Sequence, residues 1–87
     1  MKILEIKIDQ ASPQAKHQQL AAAIKKLIKK RVISGREFLP GERTLAKHIG
    51  VTRDVVHRAY KLLEAEGLIE FSNHLGHRLV EDPRPNS

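Results

Sequence analysis

Gly50 and Thr52 stand two positions apart between two amphipathic segments, and that spacing constrains the fold more than any other feature of the chain. Glycine reaches the left-handed backbone region without steric cost, so it stops a helix cleanly. Threonine is a good N-cap and starts the next one. With only Val51 between them, two helices must turn sharply and pack together, which is a helix-turn-helix unit. Upstream, Leu39-Pro40-Gly41-Glu42 punctuates the chain, and Glu42 falls in a first turn, where the helix dipole favours an acid. A short helix then runs through His48 with Leu45, Ala46 and Ile49 inward. Downstream, the second helix runs to Glu66 and Gly67 closes it.

The flanking segments complete a small fold. Ile3 to Ile8 alternates Leu4, Ile6 and Ile8 with Glu5 and Lys7, the period-two pattern that predicts a short half-buried strand. Ser12-Pro13 supplies a cap and a first-turn proline for a long helix, expected to reach Ser34 and end at Gly35. Its apolar face is Leu20, Ala23, Ile24, Leu27 and Ile28, and Lys25, Lys26, Lys29 and Lys30 fall opposite. After Gly67, Leu68 to Phe71 reads as a strand, Asn73 to Gly76 as a turn and His77 to Val80 as the return strand. The expected architecture is mainly α with a small β-hairpin: three helices, the hairpin as a wing, and a short N-terminal strand. One domain fills residues 1–80, and 81–87 has the Pro-rich polar character of a linker or free tail.

Composition narrows the function. The chain has 87 residues, short for a domain with a deep catalytic cleft. Aromatic residues are 3% of it, so no platform exists for stacking unpaired bases. Without cysteine there is no disulfide, thiol chemistry or Cys-ligated zinc finger, and a reducing cytoplasm is compatible. The sequence contains no run of about 18 apolar residues that reads as a membrane span. A formal net charge of +6 points to a polyanionic partner, and no acid interrupts the stretch from Gln10 to Arg36.

The helix after Thr52 separates its residues cleanly. Val56, Ala59, Tyr60 and Leu63 cluster on one side, while Arg53, Asp54, His57, Arg58 and Lys61 project from the other. Arg53, His57 and Lys61 follow at i+4 spacing as a donor-rich row in the half of the helix that a recognition helix inserts into the major groove. An arginine there takes guanine O6 and N7 or a phosphate, and the sequence does not choose. On an isolated helix, the same pattern reads as a solvated face with an Asp54–Arg58 ion pair. Between a helix-turn-helix turn and a wing, the balance moves to DNA contact.

These segments resemble the GntR family of transcription regulators. Leu39-Pro40-Gly41-Glu42-Arg43-Thr44-Leu45-Ala46, Gly50-Val51-Thr52-Arg53, and Leu63-Glu64-Ala65-Glu66-Gly67-Leu68-Ile69 are similar to that family's signature, and Ala59-Tyr60 to its YtrA and MocR branches. The resemblance implies a winged helix-turn-helix that reads an operator in double-stranded DNA, with helix 52–66 in the major groove and wing 68–80 on the adjacent groove or backbone. It implies DNA contacts from Arg43, Arg53 and the wing around Gly76, with Thr52 capping the recognition helix and touching phosphate. Thr44, Asp54, His57, Arg58, Lys61, His77 and Arg78 complete the candidate interface. A homodimer on DNA and an effector domain or ligand outside this chain are the further partners implied.

The sequence departs from the family pattern at several positions. Gly41 replaces the usual serine, only three residues separate Gly35 from Leu39, and His57 and Arg58 stand where Arg and Glu are common. His74 and Leu75 replace a glycine and a basic residue in the wing, which shifts wing insertion onto His77 or Arg78.

Other readings have less to stand on. His74 and His77 fall short of the roughly four ligands of a zinc site, so no metal or cofactor is expected. No paired catalytic constellation or phosphate-cradling glycine loop points to an enzyme. Attachment of the lysine-rich first helix to a membrane would take the apolar face its core needs. The runner-up is a winged-helix module that binds RNA or a protein partner.

Overall fold

The computed structural model describes residues 2–30, 38–72 and 76–80. Three helices and one hairpin follow a short 3-10 turn: α1 Lys16–Lys29, α2 Glu42–Ile49, α3 Arg53–Ala65, β1 Ile69–Ser72 and β2 Gly76–Leu79. The strands pair antiparallel with Ile69 opposite Leu79 and Phe71 opposite His77. Phe38 adds an isolated antiparallel bridge to Arg78, so the approach to α2 runs along the hairpin edge.

The turn between α2 and α3 forms as its residue types dictate. Gly50 takes φ 77° and its N–H bonds the Ala46 carbonyl, closing α2. Val51 N–H bonds the same carbonyl at 3.1 Å. The Thr52 side chain then accepts from Val55 N–H, satisfying one of the free donors of α3. Gly67, at φ 75°, releases the chain into the hairpin.

Both helices face one core. Val56, Ala59, Tyr60 and Leu63 of α3 are buried with Leu45 and Ala46 of α2 and Leu20, Ala21 and Ile24 of α1; Ile69 and Leu79 close it from the hairpin. Ala23, Leu27 and Ile28 are only partly buried, so the inward face of α1 is narrower and nearer its start than its periodicity predicts. Tyr60 is fully buried, and its hydroxyl donates to the Pro40 carbonyl at 2.7 Å.

Two expectations fail at the N-terminus. Residues 3–8 form no strand: Lys2–Glu5 is a 3-10 turn that inserts Ile3 fully into the core, with Leu4, Ile6 and Ile8 partly buried around it. Alternation supplies no pairing partner by itself: Phe38 bridges β2, and residues 3–8 pair with neither strand of the hairpin. Gln19 holds the segment from the side. Its carbonyl accepts from Asp9 N–H at 2.9 Å, and its amide donates to Asp9 O at 3.1 Å and Gln14 O at 2.9 Å. Ser12 accepts from Gln14 N–H at 3.1 Å, closing a turn rather than capping a helix, and α1 starts after Ala15 with no side-chain cap. The first helix ends at Lys29 with Lys30 as its C-cap, short of the expected Ser34, and Gly76, expected in the wing turn, opens β2. Ser34, Gly35, residues 73–75 and the tail 81–87 lie outside the described residues.

Gly50→Ala isolates the cost of the turn. A Cβ at Gly50 meets nothing within 4 Å, so only backbone strain at positive φ opposes it. The variant is expected to lose about 1–2 kcal/mol of unfolding free energy in urea titration, with its contacts otherwise intact.

Candidate nucleic-acid interface

Because α3 buries Val56, Ala59, Tyr60 and Leu63, its opposite face must carry Arg53, Asp54, His57, Arg58 and Lys61 outward, and all five are exposed. They are not unpartnered. Arg58 Nε donates to Asp54 Oδ2 at 2.8 Å, the i, i+4 pair legible from spacing. Lys61 Nζ lies 3.5 Å from Glu64 Oε1. Exposed pairs of this kind contribute little to stability.

A different arrangement joins the first two members of the donor row. Glu42, in the first turn of α2, sends Oε1 to Arg53 Nε at 3.2 Å and Oε2 to His57 Nδ1 at 2.9 Å. Its side chain is 16% exposed, against 62% for Arg53 and 50% for His57, so the carboxylate lies beneath the two donors. Burial alone would raise the Glu42 carboxyl, but the His57 and Arg53 hydrogen bonds and charges overcome it and hold the group below its ordinary range. Sequence reasoning gave Glu42 only a helix-dipole role. The missed signal was an acid at the start of α2, which a tight turn folds back against the first two turns of α3.

Between α2, α3 and the hairpin runs an open groove of about 660 Å³. Arg43 and Thr44 of α2, Arg53, His57 and Lys61 of α3, and Gly76 and His77 of β2 all line it. Seven of the eleven candidate residues therefore share one concavity. Thr52, Asp54, Arg58 and Arg78 do not line it. Arg78 pairs with Glu70, its partner across the hairpin, on the face opposite the buried Ile69 and Leu79. Of the two wing residues proposed for insertion, it is the one turned away from α3.

His77 is on the inner face. Its ring lies 4.8 Å from Tyr60 and 5.1 Å from Phe71, both tilted contacts. Burial pushes its pKa below the ordinary value; Glu64 and Glu42 oppose this, and Lys61 and His57 reinforce it. The imidazole thus fixes the wing against α3 as well as facing the groove. On α1, Lys25 leaves the lysine row to meet Glu66 at 2.6 Å, tying α1 to the end of α3.

Three helices with a tight turn before the last, and a hairpin walling that last helix, define a winged helix-turn-helix domain. The chain belongs to the gntR family of bacterial regulatory proteins, whose profile matches residues 16–78, and it is a DNA-binding domain of that family's transcription regulators. YtrA from Sulfolobus acidocaldarius, a GntR-family transcription factor, superimposes with a TM-score of 0.81 and 34% identity, over 85% of this chain and 78% of that one. The Uxu operon transcriptional regulator of Escherichia coli (strain K12) is 40% identical over 65 residues. That match covers 75% of this chain and 25% of the regulator, so the chain spans about a quarter of that relative's length. The AraR domain in complex with operator ORX1 shares the fold, with a TM-score of 0.74 at 21% identity, over 86% of this chain and 95% of that one.

The two depressed groups fix the sign of acid sensitivity. Each favours its deprotonated form in the folded state, so the stability it contributes is present above its unfolded pKa and lost as pH falls through the folded one. The thermal midpoint is expected to fall as pH drops below 6.5, from His77, and again below 4.5, from Glu42. His77→Gln should flatten the first limb, as read by circular dichroism melts across pH.

Proposed function

We propose that this domain reads an operator in duplex DNA by seating helix 52–66 in the major groove and laying wing 68–80 on the adjacent groove or backbone. The observation that carries the reading is the exposed row Arg53, His57 and Lys61 beside Arg43, all lining one groove between two helices and a hairpin. A helix fits the major groove of B-DNA, and a guanidinium there pairs bidentately with guanine O6 and N7. Thr52, the N-cap of α3, and Arg58, in its second turn, lie outside the groove and contact phosphate in this reading. Because Arg78 is turned outward, the wing acts through Gly76 and His77 at its inner edge. AraR, captured on an operator, supports the docking mode through shared fold.

The operator presents two half-sites, each taken by one copy, and an effector or oligomerisation region outside residues 1–80 holds the pair, with 81–87 as the connection. The short span against the Uxu regulator supports this. Among the described residues the large exposed apolar side chains are Phe38, Leu62 and Phe71, little surface for a stable interface of roughly 800 Å² per partner. The Ala59-Tyr60 pair and the likeness to YtrA support placing the chain in the YtrA/MocR branch.

Operators selected from random duplexes supply the assay. Arg43→Ala and Arg53→Ala should each weaken binding by about 1–3 kcal/mol with helical content unchanged. Unchanged affinity in both variants sinks the docking mode. Affinity should also fall steeply and log-linearly with salt for duplex DNA, well above that for duplex RNA or single strands at the same ionic strength. A flat salt dependence points to a protein partner instead. In sedimentation the free 87-residue chain should run as a monomer or weak dimer at micromolar concentration, and a tight dimer there overturns the account of its assembly.

A further inference from the structure

Glu42 does more than pair two surface cations, because each of its oxygens takes a different partner at a different atom. Oε1 accepts from Arg53 at Nε, the one guanidinium nitrogen that sits on the stem side. That leaves both terminal NH2 groups of Arg53 with no partner among the described residues, and these form the fork that meets guanine or phosphate. Oε2 faces Nδ1 of His57. An ionised carboxylate only accepts, so the proton of a neutral His57 must sit on Nδ1, and Nε2 is left as a bare acceptor.

We propose that Glu42 is a positioning residue that sets the pattern this helix offers to base edges: two donors from Arg53 and, from neutral His57, an acceptor at Nε2. The inference rests on the DNA-reading function proposed above. In the major groove an acceptor pairs with an amino group, which adenine carries at N6 and cytosine at N4; guanine and thymine present acceptors there instead. His57 therefore selects adenine or cytosine at its position in each half-site, and Glu42 makes that choice without touching the base. The carboxylate stays in place as the duplex docks, since it lies under the row at 16% exposure while the donors above it are half or more exposed.

Glu42→Gln reverses the pattern. Arg53 only donates, so the single amide oxygen turns to it and the amide NH2 faces His57 Nδ1. That nitrogen must then accept, the proton moves to Nε2, and His57 becomes a donor selecting guanine or thymine. The side chain keeps its shape, and the docking face loses one negative charge.

The test selects sequences from a random duplex pool with wild type, Glu42→Gln and His57→Ala, at pH 8.5. Wild type should enrich adenine or cytosine at one position of the half-site, roughly tenfold or more over guanine and thymine. Glu42→Gln should enrich guanine or thymine at that position while binding unselected duplex at least as tightly as wild type. His57→Ala should lose preference there alone. An identical preference in wild type and Glu42→Gln overturns the proposal, as does a uniform loss of affinity for all duplexes in a variant with an unchanged melting midpoint. Nitrogen-15 spectra of the free wild-type domain read the tautomer directly: His57 protonated at Nδ1 supports the assignment and protonated at Nε2 overturns it, even if the variant fails to fold. Enrichment of no sequence by wild type overturns the DNA-reading function itself, and this inference with it.

Discussion

The ring of Tyr60 is where the parts of this domain meet. It is the largest fully buried side chain, it leaves α3 toward the core, its hydroxyl reaches the Pro40 carbonyl just before α2, and His77 of the wing packs against it. A chain with 3% aromatic residues has few ways to join three elements at one point. Burial, with the nearby Glu42 carboxylate, pushes the phenol's pKa far above its ordinary range, so it remains a neutral donor at any physiological pH. The hydrogen bond it makes satisfies a carbonyl that no helix or strand uses, which lets the chain approach α2 without leaving a polar group stranded. Helix, turn and wing consequently meet around one side chain, and the groove lies between them.

The face that opens on that groove is electrostatically arranged. A row of cations on a helix would repel itself and sample many rotamers, at a cost in entropy when a ligand orders it. Here the row is laced by acids: Glu42 beneath Arg53 and His57, Asp54 beside Arg58, and Glu64 beside Lys61. The exposed pairs contribute little to stability, whereas Glu42 is sheltered beneath its two partners. Geometry thus separates exposed outer pairs from one sheltered inner carboxylate.

The parts of this arrangement that local rules govern were legible in the sequence. Gly50, Thr52 and Gly67 punctuate the helices where residue chemistry predicts, the inward faces of α2 and α3 match their periodicity, and the hairpin sits between Leu68 and Val80. Where a residue's role is set by something distant in sequence, the pattern misled or was silent. Alternation at Ile3–Ile8 looked like a strand because a period-two pattern cannot report whether an edge is available, and the segment instead buries Ile3 in a 3-10 turn strapped by Gln19. Ser12-Pro13 carries a helix-start signal, yet Ser12 spends its hydroxyl on Gln14 and the helix begins later. Glu42 was visible as a first-turn acid, but its contacts lie eleven and fifteen residues downstream and exist only once α2 packs on α3.

The wing shows how strand alternation settles a question that composition leaves open. His77 and Arg78 are adjacent, both are basic, and both were candidates for insertion into DNA. In a hairpin, adjacent side chains point to opposite faces. Leu79 is buried, so His77 shares its face and must look toward α3, while Arg78 looks away and meets Glu70 across the strands. From the inner face the His77 ring reaches both Tyr60 and Phe71. An imidazole fits between the two rings there, and burial favours its neutral form. The wing therefore walls the groove with an imidazole, and the cations Arg43, Arg53 and Lys61 line the same groove from the helices.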